Sequence, residues 1–247
     1  MTLKWSSQYA PVDGDFSDVS LLLLGEGTNG STTITDTSSN NFTVSVAGDA
    51  QISTAVNTPF GTGDGVLAFD GTGDYFTVPA NADCNFGTGD FTIEAWVNRP
   101  STSGDHTIIA GRGPTNGTFM FAIVSNNLRI GRNQQSWDLI SPTLSLSANQ
   151  WYHMAAVKKN NFGYLFVDGS VVASGANVFA YNLTEPGDTN FAIGGRQASP
   201  VTDTVGSFFN GYISNLRITK GVARYTENFD VPTAPFPIYS PTTRSQV

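Results

Sequence analysis

Apolar and polar residues alternate with a period of two along much of this chain, most cleanly over residues 90–100. Phe91, Ile93, Ala95 and Val97 fall on one side of an extended strand, and Thr92, Glu94, Trp96 and Asn98 on the other, because successive strand side chains point to opposite faces. The second side sets a carboxylate beside a tryptophan. A strand of this kind is expected to be covered on both faces, and a covered Glu94 needs a charged partner. Arg217, in the last strand region, is the first choice. The turn residues Gly87-Thr88-Gly89-Asp90 precede the strand and Pro100-Ser101-Thr102-Ser103-Gly104 ends it.

The same reading predicts the other elements. Residues 19–24 form a continuous apolar run, the mark of a strand buried on both faces, stopped by Gly25-Glu26-Gly27. Short strands are expected at 32–35, 42–46, 66–69 and 75–78, then a meander over 106–110, 118–124 and 128–132. Further strands are expected at 143–146, 151–158, 162–167, 191–193 and 207–219, with a loop from Arg196 to Gly206. Asp168-Gly169 between two apolar runs is a strong short-range signal for a two-residue hairpin. The tetrad Gly-Thr-Gly-Asp occurs at 61–64, 71–74 and 87–90. Its unequal offsets do not fit a tandem calcium-binding β-helix, and hairpin turns are the expectation.

Composition supports an all-β chain: 26 Gly, 17 Phe and only 13% charged residues among 247. All-β sandwiches of roughly 200–250 residues commonly form one domain, so we expect a core domain over 19–227. An N-terminal arm would occupy residues 1–18, carrying Trp5 and Tyr9, and a Pro-rich tail residues 228–247, with Pro232, Pro235, Pro237 and Pro241. The aromatic residues at both ends predict that at least one end is an assembly arm. A net charge of −8 without clustered Lys and Arg excludes nucleic acid as a partner. Cys84 is the only cysteine, so no intrachain disulfide forms. No secretory signal and no membrane-inserting run is visible, which places synthesis in a cytoplasm.

Five segments fall in the order seen in one family. They are residues 66–75, 90–97, 150–155, 165–169 and 209–218, and they resemble laminin G-like, concanavalin A-like jelly rolls over about residues 19–220. The ending Gly221-Val222-Ala223-Arg224-Tyr225-Thr226-Glu227-Asn228-Phe229, followed by its prolines, resembles the version of this domain found in bacteriophage virion proteins. The resemblance implies a two-sheet antiparallel jelly-roll sandwich, used for glycan or protein binding and for display on particles. Where many relatives have an acidic pair in the last strand, this chain has Ser214-Asn215. That departure weakens a calcium site built around the pair, but Glu26 and Asp36 remain as hard oxygen donors, and a structural calcium there is one expectation.

A glycosidase needs two carboxyl groups flanking the scissile bond. The chain has four glutamates. Glu26, Glu185 and Glu227 lie in turn-like segments, and Glu94 lacks the acidic cluster of fold-related laminarinases. His106 and His153 have no nucleophile motif around them. Binding is the better reading: Arg112, Asn116, Arg132, Trp137 and Arg196 lie in or beside loops and are the candidate ligand-binding residues, with Gln134, Gln135 and Gln197 near them. Trp137 is either a stacking platform for a sugar ring or a lid folded onto the core, whereas Trp96 and Trp151 are expected in the core. The functional expectation is a non-enzymatic bacteriophage virion surface protein, a capsid decoration, fibre or tail attachment module. Its partners would be host-surface glycan, other virion subunits or copies of itself. A purely structural connector and a glycoside hydrolase of concanavalin A-like fold are the alternatives.

Overall fold

Alternation closes this chain into two stacked antiparallel sheets whose inner faces share one core. The structure is a computed structural model that describes residues 12–61, 65–112, 119–132, 136–180, 183, 190–199 and 204–239. In chain order the strands are β1 (Val19–Leu23), β2 (Ser45–Ala47), β3 (Gln51–Ser53), β4 (Val66–Asp70), β5 (Tyr75–Thr77), β6 (Phe91–Asn98), β7 (Asp105–Arg112), β8 (Met120–Val124) and β9 (Asn127–Gly131). They continue with β10 (Trp137–Ile140), β11 (Trp151–Lys159), β12 (Phe162–Val167), β13 (Ser170–Ala176), β14 (Asn190–Ile193), β15 (Arg196–Ser199), β16 (Thr204–Gly206) and β17 (Asn210–Lys220). The first sheet runs β13-β12-β11-β6-β17-β4-β3, with β1 also paired to β17. The second runs β10-β9-β8-β7-β14-β5-β2, and β15 and β16 form a separate ribbon. This is the jelly-roll sandwich that the alternation and the resemblance predict.

Strand β6 sits mid-sheet, buried along its whole length. Phe91, Ile93, Ala95 and Val97 enter the shared core, where Phe91 stacks on Phe86 at 4.5 Å between ring centroids. The Asp168-Gly169 turn has φ of 45° and 73°, the left-handed pair that a type I′ hairpin requires. The meander β7-β8-β9 is also found where alternation places it.

Four local expectations are overturned. Residues 32–35 make only an isolated bridge, Thr35 to Thr43, although the flanking Ser31 and Thr37 bond by backbone to Ile52 and Leu22. Residues 143–146 follow Pro142 outside any strand, held by the Leu144 N–H donating to Asn126 O at 2.8 Å with Leu144 and Leu146 packed against the core, and the edge strand is β10, which starts at Trp137. The loop expected from Arg196 to Gly206 contains the β15-β16 ribbon. The tetrad at 71–74 is not a hairpin turn: β4 and β5 belong to different sheets, so it turns a corner between them. Asp74 holds that corner by accepting the backbone N–H groups of Asp49 at 2.8 Å and Asp70 at 2.9 Å. The tetrad at 61–64 lies partly outside the described residues.

Both described ends fold back on the outer face of the first sheet. The Asp13 N–H donates to Tyr239 O at 2.9 Å, and the Phe236 N–H donates to Asn215 Oδ1 at 2.9 Å. Phe236 packs with Val19, Leu22 and Leu24, while Tyr225 and Phe229 pack over Ala155, Val157 and Phe166. The C-terminal stretch 222–239 is thus a strap on its own domain. Trp5 and Tyr9 of the expected arm lie outside the described residues.

Candidate ligand-binding site

Two places gather polar side chains on the outer faces of the sheets. The first lies under the strap. Glu94 and Arg217 are paired as expected, with Arg217 Nε 2.9 Å and Nη2 2.7 Å from Glu94 Oε1. Tyr225 donates its hydroxyl to Glu94 Oε2 at 3.0 Å, and His153 Nε2 lies 3.2 Å from the same oxygen. Arg217 Nη1 also donates to Asp13 Oδ2 at 2.8 Å, and Arg224 forks onto both Asp13 oxygens at 2.9 Å. The strap ring of Phe236 closes the top, its centroid 3.8 Å from the Arg217 guanidinium carbon. Burial by itself raises the Glu94 pKa, but the Arg217 charge and the His153 contact outweigh it and hold the carboxyl at about 2. Asp13 is likewise held below its usual range: burial opposes the shift, while the Arg224 hydrogen bonds and charge drive it. Burial and the Glu94 charge raise the Tyr225 pKa. Two buried carboxylates against two guanidiniums form a structural ion-pair network beneath the strap.

The second place is on the outer face of the second sheet. Thr107 of β7 and Ala122 of β8 are direct cross-strand partners, and Gly131 of β9 faces Trp137 of β10. Thr107 and Ala122 form a floor beside the larger Met120 and Trp137, which pack in one apolar cluster, while the space over Gly131 is filled by the backbone of Ser136 and Trp137. The ribbon closes one side: the Thr107 N–H donates to Ser207 O at 3.3 Å, and Arg196 Nε donates to Ser207 Oγ at 3.0 Å. A depression of about 240 Å³ results, lined by Arg132, Trp137, Arg196, Asp105 and His106 among others. The Arg129 guanidinium carbon lies 5.6 Å from the Trp137 ring centroid and steadies that ring. His106 is fixed by contacts on both ring nitrogens, 2.9 Å to Ser103 O and 3.2 Å to the Asn210 N–H, and burial lowers its pKa.

Three of the five candidate residues, Arg132, Trp137 and Arg196, therefore meet around one depression. Arg112 ends β7 and pairs by backbone with Asn190, but its side chain lies outside the description, as do Asn116, Gln134 and Gln135. Trp137 is neither on a loop nor in the core: it opens an edge strand and is half-buried. Trp96 is buried on the outer face beneath Phe60 and beside His153, not between the sheets. Trp151 is half-buried and donates its indole N–H to Asn57 O at 2.9 Å. Thr107, Met120 and Ser207 were not legible as site residues, because only tertiary pairing brings them to Trp137.

Of the two expected calcium ligands, Asp36 is committed to the protein's own hydrogen bonds. Asp36 points inward, where Oδ1 accepts the N–H groups of Leu22 and Ser38, and Oδ2 accepts the Phe42 N–H and the Ser38 hydroxyl. Four hydrogen bonds use the lone pairs that a cation would need. Glu26 is exposed on the rim of a separate depression with Leu24, Ile34 and Ile52. Among the described residues, three carboxylates converge instead at the corner, where atoms of Asp49, Asp70 and Asp74 lie within 4.8 Å of one another. Burial raises the Asp74 pKa there, aided by the Asp70 and Asp49 charges. No helix among the described residues is long and apolar enough to cross a membrane.

Solved structures share this architecture. The binding domain of Paraclostridial Mosquitocidal Protein 1 superposes with a TM-score of 0.60 at 14% identity, over 84% of this chain and 50% of that one. Domain 4 of AbnA, an extracellular arabinanase from Geobacillus stearothermophilus solved with arabinotriose, gives 0.61 at 16% identity over 83% and 94%. Botulinum neurotoxin type C, whose cell entry depends on two ganglioside molecules, gives 0.56 at 17% over 84% and 49%. The chain spans about half the length of the toxin chains it matches. No curated protein matches it in sequence. Residues 70–226, more than half of the chain, match the Laminin_G_3 family, described as the concanavalin A-like lectin/glucanases superfamily, and the chain belongs to that family.

Proposed function

We propose that this domain is a non-enzymatic binding module that takes glycan at the Trp137 depression and is displayed on the surface of a bacteriophage particle. The observation that carries the binding reading is the convergence of an indole ring and two guanidiniums on a floor of small residues. Sugars are held by an aromatic face together with planar polar groups, which is what this depression supplies. The neighbours whose names mention arabinotriose and gangliosides are consistent with that use. The non-enzymatic part is supported by Glu94: held ionised at about pKa 2 and sealed under the strap, it is unsuited to general acid work. The virion part rests on the resemblance of residues 221–229 and the proline-rich ending to particle proteins.

A glycan array with wild type and Trp137→Ala tests the binding reading. Specific signals lost in the variant support it. An empty array together with co-purification of capsid or tail subunits favours the connector alternative, and release of reducing ends from a bound glycan favours the hydrolase. Electron micrographs of particles labelled with antibody to the domain test the display.

A further inference from the structure

We infer that the buried guanidinium of Arg99 binds a small anion of the halide or formate class, at the end of the sandwich where β6 leaves the first sheet. The inference stands apart from the glycan-binding reading, since Arg99 does not line the Trp137 depression.

Three cationic side chains are buried among the described residues: Arg99, Lys158 and Arg217. Arg217 meets the carboxylates of Glu94 and Asp13. Lys158 Nζ donates to the carbonyls of Thr88 at 2.6 Å and Gly89 at 3.0 Å, within the field of Asp90. Arg99, only 5% exposed, has neither kind of compensation. Its Nη2 donates to the neutral Asn126 Oδ1 at 3.1 Å, and its Nη1 is buried without a hydrogen-bond partner. No carboxylate among the described residues pairs with it, and burial lowers its pKa. A buried charge left unpaired is strongly destabilising, and a buried polar atom without a partner calls for an ion or a water. A water can satisfy Nη1, but only an anion answers the charge.

The surroundings hold Arg99 in place while leaving its charge unanswered. Its carbonyl accepts the Asn149 N–H at 2.7 Å. Asn126 follows Ser125 in a turn with φ of 51° and 60°, and its own carbonyl accepts the Leu144 N–H at 2.8 Å, so the amide that meets Arg99 is fixed. Tyr152, the one acidic group that acts on Arg99, donates its hydroxyl proton to Gln150 Oε1 at 3.2 Å and accepts the Ser147 N–H at 2.8 Å, the pattern of a neutral phenol. His106 supplies no negative charge either: burial and then the Arg99 charge lower its pKa, and its ring is held by Ser103 O and the Asn210 N–H. The guanidinium is a planar fork, so Nη1 can take an anion while Nη2 stays on Asn126. Close burial limits that anion to a small one. Bound there, it braces the three segments that meet at Arg99: the end of β6, the turn at Ser125-Asn126 and the stretch from Leu144 to Tyr152.

The test is thermal melting in sodium gluconate, whose anion is too large for a buried site, with gluconate replaced stepwise by chloride or by formate at constant ionic strength so that screening stays fixed. The melting temperature of the wild type should rise along a saturating curve with at least one of the two, by roughly 3–6 °C at about ten times the dissociation constant, because an ion bound only to the folded state stabilises it by mass action. Which of the two acts distinguishes a halide from a carboxylate. Arg99→Met keeps the stem and removes the charge. It should melt at or above wild type in gluconate, since the unanswered charge is gone, and show no rise with either anion. Equal rises in both proteins overturn the inference, and so does a flat response of the wild type. Bromide in crystals of the wild type gives a reading that needs no variant. Anomalous scattering at hydrogen-bonding distance from Arg99 Nη1 supports the site, and bromide found only elsewhere overturns it.

Discussion

Trp96 and Trp137 stand on the outer faces of the two sheets, each with arginine and carboxylate on the same side of the sandwich. Trp96 is 8% exposed, covered by Phe60 and flanked by His153 in a face sealed by the strap. Trp137 is half-buried at the rim of a depression that the ribbon only partly closes. The difference is not in residue type but in what the chain lays on top. On the first face, Asp13 and Arg224 arrive from the two ends to balance Glu94 and Arg217, and Phe236 shuts out water. On the second, small side chains at Thr107 and Ala122 leave room, and no strap crosses it among the described residues.

Breaking the sealed face should have the largest effect. Arg217→Ala leaves Glu94 and Asp13 buried with fewer partners, and removing one member of a buried pair costs about 3–5 kcal/mol. Chemical denaturation should show that loss, and a melt like wild type would mean the face is wetter than its geometry implies. Phe236→Ala should cost about 3 kcal/mol, since it removes the ring over Arg217 and its packing on Leu22 and Leu24. A markedly smaller loss would show that the strap lies on the sheet without sealing it.

Acid should act on the same face. The folded Glu94 pKa lies below its ordinary value of 4.5, at about 2, so its stabilisation is fully present above about pH 4.5 and is lost as pH falls toward 2. The shift corresponds to about 3 kcal/mol, and Asp13 moves in the same direction. Stability measured from pH 6 down to about pH 2 should fall accordingly, and Glu94→Gln, already destabilised, should show a flatter profile. An identical pH profile in the variant would place the titration elsewhere.

The smallest effect on stability belongs to the open face. Trp137→Ala should cost about 1 kcal/mol, mainly its contact with Arg129 and Met120, while abolishing glycan binding. A loss as large as that of Phe236→Ala would make Trp137 a structural lid and erase the contrast between the faces.

Much of this was written in local pattern. The alternation in residues 91–98 determined which side chains of β6 enter the core, because a strand has only two faces. Asp168-Gly169 determined its hairpin, because few residue pairs adopt positive φ twice in succession. Glu94 announced its need for a cation, because a carboxylate covered on a buried strand is costly when alone, and Arg217 answers it from the neighbouring strand. Other features have no local signature. That the tetrad at 71–74 turns between sheets, that Asp36 spends its oxygens on backbone N–H groups of Leu22, Ser38 and Phe42, and that Arg196 comes beside Trp137 all depend on where distant strands lie. Local propensity acts over a few residues, whereas which polar group is covered and which stays open is decided by the long-range path of the strap and the ribbon across the sheets.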